Sequence, residues 1–313
     1  MDDDVYLRHA RHRLATRVAV TGGSGQIGSA LRVELSRTHT VVGFDLRPRG
    51  VSRKLDVAGP RAVAELRKFD VIYHLAALIS VPESLRDPLR FDRTNVHGSL
   101  CVLEAARLGD ARLVFCSSAA VYGVPTRLPI GEDHPLRPIS PYGLTKAIGE
   151  EYVRLYRELY GLDASIIRPF NVYSERVTRA DPYAGVIRKF LDAARLGRPL
   201  VVNGDGRQTR DFVHVSDVVQ LMGLLIDGRG SGRTYNCGSG HPTSIRELAS
   251  WIRDRMDPDG GISYGPPRPG DIRHSVARID RARSIGYRPR VTLRAWLAAQ
   301  PTRTHRSRPQ RTD

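Results

Sequence analysis

RVAVTGGSGQIG, residues 17–28, decides the fold. A short apolar run, 17–21, stops at a cluster of glycines, and a helical pattern follows through about Ser36. Gly22, Gly25 and Gly28 are spaced G-x-x-G-x-x-G, with Gln26 and Ile27 completing the turn. A strand that turns straight into a helix needs residues without Cβ, for the tight geometry and so that backbone can approach a pyrophosphate. The helix N-terminus then offers free N–H groups and a favourable dipole to that anion. TVVGFD (40–45) is a second strand, and it closes on Asp45, 17 residues past Gly28. A carboxylate there accepts hydrogen bonds from an adenosine ribose and repels a 2′-phosphate, which favours NAD over NADP. Arg47 lies nearby and keeps NADP open.

The same rhythm continues outward. FDVIYHLAA (69–77) contains a third strand, ARLVFCSS (111–118) is a fourth and DASIIRPF (163–170) a fifth. Between them, Asn95 to Gly109 carries Leu100, Leu103, Ala106 and Leu108 at helical spacing. PYGLTKAIGEEYVRLYRELYG (141–161) reads as a long helix that starts after a proline and ends at a glycine. Apolar strands separated by helices imply a parallel sheet covered on both faces. Right-handed crossovers make it doubly wound. The expected fold is therefore α/β, a doubly wound parallel (Rossmann) sheet over 17–170. A smaller, loop-rich α/β C-terminal lobe is expected mainly over 171–300, where Gly and Pro become frequent, as in GRPLVVNGDG (197–206). Segments near 212–238 are expected to return to the sheet, TYNCG (234–238) as a further strand. Residues 1–16 read as a flexible arm and PTRTHRSRPQRTD (301–313) as a disordered basic tail.

Bulk properties narrow the classes. A chain of 313 residues makes one large or two modest domains. No stretch approaches the roughly 18 apolar residues that span a bilayer. MDDDVYLRHARHR lacks the apolar core of a signal peptide, so a cytoplasmic protein without membrane contact is expected. Cys101, Cys116 and Cys237 are far apart and form no CxxC pair. That argues against disulfides or a zinc site, so no metal is expected. The net charge of +16 invites a nucleic-acid reading. Yet only four of the 49 basic residues are lysine (Lys54, Lys68, Lys146, Lys189), and the arginines are scattered rather than gathered in a stripe. A small anionic ligand suits such a field better, and no nucleic-acid partner is expected.

Two constellations carry chemistry. Tyr142 and Lys146 stand at i and i+4, on one helix face. At roughly 4 Å and an effective dielectric near 20, an ammonium attracts a phenolate by about 4 kcal/mol. That would bring a phenol from about 10 to near 7 before any desolvation penalty. Such a tyrosine removes a hydroxyl proton while a nicotinamide takes the hydride. Ser118, in SSAAVYG (117–123), ends the fourth strand at the sheet's carboxyl edge, where ligands bind, and could hydrogen-bond a reacting sugar oxygen.

Together these residues resemble the extended short-chain dehydrogenases/reductases, and within them the NAD-dependent nucleotide-sugar epimerases of the UDP-glucose 4-epimerase type. The resemblance is carried, in family order, by TGGSGQIG, LDV (55–57), HLAA (74–77), TNVHGSLCVLEAAR (94–107), SSAAVYG, PYGLTKAIGE, RPFNVYS (168–174), GDGRQTRDFVHVSDVV (204–219) and RPGDIRHS (268–275). It implies a catalytic trio of Ser118, Tyr142 and Lys146. It implies adenine contacts at Asp56 and Val57, cofactor lining by Leu75, Ala76 and Ala77, and support of the nicotinamide side by Asn95. Ser80, Ser118, Tyr142, Asn171, Arg210, Arg268 and Asp271 are implied to hold the nucleotide sugar. Arginine suits that task because its planar fork binds phosphate oxygens in pairs.

Dehydratases and decarboxylases of this family usually carry an acid just after the catalytic Ser/Thr; here Ala119 and Ala120 stand there. The resemblance therefore implies C4 epimerisation, by transient oxidation, rotation of the keto sugar and hydride return with NAD tightly bound. The alternatives are an NAD(P)-dependent NDP-keto-sugar reductase or dehydrogenase and, third, a non-catalytic dinucleotide-binding regulator. Two departures from the family's pattern adjoin the expected sugar or base pocket: Ser174-Glu175-Arg176-Val177 replaces a frequent G-P-R-Q, and Asn203 replaces a frequent tyrosine. The family also implies a homodimer through 95–108 and 145–160, with Leu100, Leu103, Tyr152, Leu155 and Leu159 either facing the partner or, as the simpler alternative, buried in the core.

Overall fold

The computed structural model describes residues 16–175, 185–257, 259–268 and 270–301. The arm and tail expected at the ends lie outside this range except for Thr16 and Pro301, as do Arg176 and Val177. Seven strands form the central sheet: β1 (Arg17–Thr21), β2 (Thr40–Asp45), β3 (Arg53–Lys54), β4 (Val71–His74), β5 (Arg112–Cys116), β6 (Ala164–Pro169) and β10 (Thr234–Cys237). Their order is β10-β6-β5-β4-β1-β2-β3, with every pairing parallel. The expected doubly wound sheet is thus present. Its order reverses between β1 and β4, which opens a crevice at the carboxyl ends of the strands. The two-residue β3 escaped the sequence reading because Arg53 and Lys54 are exposed and carry no apolar pattern.

Burial explains why β1 is apolar throughout. Val18 and Val20 join the core on one face and Ala19 the core on the other, the period of two expected of a strand covered on both sides. The first face packs Leu31 and Leu35 of α1 (Gln26–Leu35) and Val218, Leu221 and Met222 of α8 (Val215–Leu224). Ala277, Ile279, Ala282 and Tyr287 join it, so the chain returns to the sheet well beyond residue 238. The second face packs α2 (Ala62–Leu66), α5 (Gly98–Leu108) and α6 (Pro141–Tyr160). The helix expected from Asn95 begins as a π-helical turn, Asp92–His97, after the short α3 (Val81–Arg86) and α4 (Pro88–Phe91).

The long helix α6 matters most for the site. Ser140 caps it by accepting from Gly143 N–H, Pro141 sits in its first turn, and Gly161, at φ +66°, ends it. Gly149 lies so close to β5 that a Cβ there would stand 2.5 Å from the Phe115 ring. This close approach seats Lys146 and Glu150 against the end of β5. Leu103 is fully buried in the core, the simpler of its two alternatives. Leu100 and Tyr152 pack partly against the same core, whereas Leu155 and Leu159 are exposed.

The C-terminal lobe is more regular than its glycines and prolines suggest. β7 (Asn171–Tyr173) pairs parallel with β9 (Thr209–His214), which pairs antiparallel with β11 (Pro242–Ser244). β8 (Leu200–Asn203) pairs with β12 (Ile262–Gly265). A separate core joins Phe190 and Leu191 of α7 (Val186–Arg195), Leu248 and Ile252 of α9 (Ile245–Met256), and Trp296 and Leu297 of α11 (Leu293–Ala298). Among the described residues, no helix is long and apolar enough to cross a membrane.

Candidate active site

The glycine turn is a tight cradle. Gly22 has φ +70°, and a Cβ on it would meet Ala76 N at 2.8 Å. A Cβ on Gly28 would stand 2.2 Å from Gly22 O. Gly25 caps α1 without any side-chain hydrogen bond, so no side chain covers that helix N-terminus from the cap position. Such a cradle fits the pyrophosphate of a dinucleotide. Asp45 is fixed at the end of β2, where its carboxylate accepts from Ser24 N–H at 3.1 Å and Arg47 N–H at 3.0 Å. Gly22, Gly25, Gln26, Ile27, Gly28, Asp45, Asp56, Val57, Leu75, Ala76 and Ala77 all line one cleft of about 1010 Å³. Ser118, Tyr142, Lys146 and Asn171 line the same cleft.

A buried hydrogen-bond chain supports the loop after β4. Thr21 Oγ1 accepts from Leu75 N–H and Ala76 N–H, each at 3.2 Å. With its lone pairs so used, its proton goes to His74 Nδ1 at 2.8 Å. His74 Nε2–H then donates to Ser99 Oγ at 3.0 Å, whose own proton goes to the Asn95 carbonyl. Burial, with Lys146 nearby, pushes the imidazole down to about 3, which keeps it neutral. Asn95 itself lies behind the cleft wall. Its amide pairs with the backbone of Leu78 at 2.8 and 2.9 Å and donates to Thr145 Oγ1 at 3.0 Å. It thus ties the loop after β4 to α6.

Tyr142 hydrogen-bonds Ser118, and Lys146 stands one turn further along α6. Lys146 Nζ donates to the Cys116 carbonyl at 2.8 Å and lies 5.4 Å from the centre of the Phe115 ring. Burial pushes the Tyr142 phenol up to about 12, with only the Ser118 hydroxyl drawing it back down. Desolvation is the largest influence on the phenol, a penalty that i,i+4 spacing leaves out of account. Ser118 also caps a single 3₁₀ turn, Ala119–Tyr122, accepting from Ala120 N–H at 3.2 Å.

Outside the cleft lining, the arginines implied for the substrate already have partners. Arg210 donates to Asp271 and, at 2.8 Å, to the Thr209 carbonyl. Arg268 donates through Nε and Nη2 to the Asn203 amide oxygen at 2.9 and 3.0 Å once that amide is oriented by its donors. Neither arginine, nor Asp271, is among the cleft-lining residues described, and Ser80 is likewise absent from that lining. Ser80 instead caps α3, accepting from Glu83 N–H at 3.2 Å. Glu175 does line the cleft; it accepts from Trp296 Nε1 at 2.5 Å and lies 3.3 Å from His214 Nε2. Gln26 Nε2 reaches Ser174 Oγ at 3.0 Å, linking two sides of the cleft.

The sequence reading missed His74 and a buried ion pair, Glu150 with Arg168. The available signal was charge inside motifs that otherwise read as core: Glu150 ends PYGLTKAIGE and Arg168 interrupts SIIRPF. The cysteines are as expected. All three are free, and burial pushes the Cys116 and Cys237 thiols up, away from reactivity. Among the described residues no cluster could hold a metal ion.

Comparison with known proteins agrees with this geometry. UDP-glucose 4-epimerase of Mycolicibacterium smegmatis is 40% identical over 305 residues, covering 90% of this chain and 96% of the relative. The solved UDP-N-acetylglucosamine 4-epimerase from Methanobrevibacter ruminantium M1, in complex with UDP-N-acetylmuramic acid, superposes with a TM-score of 0.86 at 33% identity, covering 91% of this chain and 96% of that one. Thermus thermophilus UDP-glucose 4-epimerase, solved in complex with NAD, gives 0.81 at 32% identity, covering 90% and 96%. The profile of the NAD dependent epimerase/dehydratase family matches residues 18–238. The chain belongs to that family.

Proposed function

We propose that this chain is a nucleotide-sugar 4-epimerase, acting on a UDP-hexose or UDP-uronic acid with NAD held through the whole cycle. The observation that carries the reading is the meeting of Ser118, Tyr142 and Lys146 with the glycine cradle in one cleft, without an acid following Ser118. Among the described residues, the carboxylates lining that cleft are Asp45, Asp56 and Glu175. Asp45 is engaged by the backbone at the end of β2 and Glu175 by Trp296. None directly follows Ser118, where a leaving hydroxyl would need an acid in a dehydratase.

In this reading Tyr142 takes the proton of the sugar C4 hydroxyl and later returns it, and Ser118 bridges phenol and sugar oxygen. Lys146, anchored on the Cys116 carbonyl, keeps a fixed positive charge beneath them. NAD, when bound, supplies the reversible hydride acceptor and a positive charge that favours the phenolate. Gly22, Gly25, Gln26, Ile27 and Gly28 hold its pyrophosphate, Asp45 its adenosine ribose, Asp56 and Val57 its adenine, and Leu75, Ala76 and Ala77 its flank. Asn171, Arg210, Arg268 and Asp271 would hold the nucleotide sugar, which requires the two arginines to exchange their present partners.

The protein would act in the cytoplasm as a homodimer. Leu144, Leu155 and Leu159 on α6 are 50%, 38% and 62% exposed, and covering them is the natural use of a partner copy. Light scattering in solution tests the dimer. The activity is tested by NMR on a panel of nucleotide sugars. Inversion at C4 is expected for at least one pair; no inversion across the panel sinks the reading, and stoichiometric use of reduced cofactor would favour the keto-sugar reductase instead.

A further inference from the structure

The ion pair that the proposed chemistry leaves unused is Glu150 with Arg168, 4% and 5% exposed. A buried ion pair is weak evidence for stability, since well-packed apolar residues often do as well. Its use is therefore to be sought in what it holds. Glu150 stands one helical turn beyond Lys146 and two beyond Tyr142 on α6. Arg168 approaches it with both Nε, at 2.9 Å from Oε1, and Nη2, a bidentate pairing that fixes both side chains.

Each partner then reaches one flank of Ser118. Glu150 Oε1 accepts the Ser117 hydroxyl. Arg168 Nη1 donates to Tyr122 Oη at 2.8 Å, and its guanidinium lies 4.9 Å from the centre of that ring. Tyr122 Oη passes its own proton to Asn236 Oδ1 at 2.6 Å, so the far end of the stretch is also tied to β10. Cys116, one residue further back, is held by Lys146 Nζ at 2.8 Å. Positions 116, 117 and 122 are thus all anchored from α6 or β6. Ser118 sits between anchors, its hydroxyl on the cleft wall.

We propose that Glu150 and Arg168 are positioning residues which, through Ser117 and Tyr122, set the Ser118 hydroxyl against the Tyr142 phenol. The inference rests on the epimerase reading above. Proton transfer depends steeply on such placement, and a shift of about 1 Å in a reacting group costs up to roughly a hundredfold in rate.

Ser117→Ala is the decisive variant, because it removes one anchor and leaves the ion pair intact. Its kcat is expected to fall roughly tenfold, with KM, bound NAD content and thermal midpoint unchanged. Glu150→Gln keeps the shape but leaves Arg168 without its counter-charge; kcat is expected to fall at least as far, now with a lower thermal midpoint. A wild-type kcat in Ser117→Ala overturns the inference, and so does a fall in kcat of Ser117→Ala that comes with loss of NAD or a lower thermal midpoint. A wild-type protein that inverts no nucleotide sugar overturns the epimerase reading and this inference with it, whereas an active wild type with an equally active Ser117→Ala overturns this inference alone.

Discussion

The cradle implied for the cofactor and the groups implied for the substrate are made of different material. The cradle, at the ends of β1 and β2, is largely backbone: the turn at Gly22–Gly28, the capless start of α1, and the Leu75–Ala76 amides held by Thr21. The arginines implied for the substrate are long side chains that already have partners, Arg210 with Asp271 and Arg268 with Asn203. A backbone cradle is complete once the chain has folded. A side-chain site has to break existing contacts before it can hold a ligand, and the ligand must offset that cost. The contrast suits an enzyme that keeps its cofactor and exchanges its substrate.

Variants test this contrast in descending order of effect. Tyr142→Phe removes the proton-carrying oxygen itself. Its kcat is expected to fall about 10³-fold, with bound NAD and thermal midpoint preserved. A variant keeping more than a tenth of the activity would remove Tyr142 from the mechanism. Gly28→Val attacks the backbone cradle. Its added carbons have no space beside Gly22 O, and NAD affinity by calorimetry is expected to drop at least about a hundredfold.

The next effect is on stability and belongs to the backbone cradle alone. His74 is neutral in the folded protein, pushed down to about 3, whereas an unfolded histidine titrates near 6.5. The folded state is therefore favoured fully above pH 6.5, and the advantage is lost as pH falls toward 3. The slope is about 1.4 kcal/mol per pH unit in that window. His74→Asn keeps an acceptor for Thr21 but does not titrate. Its denaturation free energy should depend less on pH between 6.5 and 4.5 than that of the wild type; parallel curves would refute the buried neutral imidazole. Arg210→Met probes the side-chain groups. It is expected to raise KM for the nucleotide sugar about fivefold with NAD binding unchanged, since a phosphate contact made equally in ground and transition states moves KM rather than kcat. If Arg210→Met released NAD while Gly28→Val kept it, the assignment of cradle and side-chain groups would be reversed.

What was legible in the sequence follows the same division. β1, the glycine turn, α6 and the return of Thr234–Cys237 were readable because backbone periodicity and the needs of glycine act over a few residues. The cofactor positions Gly22, Gly25, Gln26, Ile27, Gly28, Asp45, Asp56, Val57 and Leu75 to Ala77 do fall on one cleft. What could not be read were side-chain partners distant in the chain. Asn95 is engaged by Leu78 and Thr145, and Arg210 by Asp271, 61 residues away. The Tyr142 phenol stands high because it is buried, and i,i+4 spacing to Lys146 does not reveal that desolvation. Glu150 and Arg168 were hidden too: a charge within an apolar motif declares that it must be paired, not with what.

The central claim is that NAD is retained and regenerated within each turnover. Its most direct test is to give the purified protein, with no cofactor added, each member of an interconverting C4 pair of UDP-sugars and to follow the sugar by NMR and reduced nicotinamide by absorbance. The expected result is approach to one equilibrium mixture from both sides, with no net reduced cofactor released. Conversion in one direction only, in proportion to reduced or oxidised nicotinamide supplied, would contradict the account.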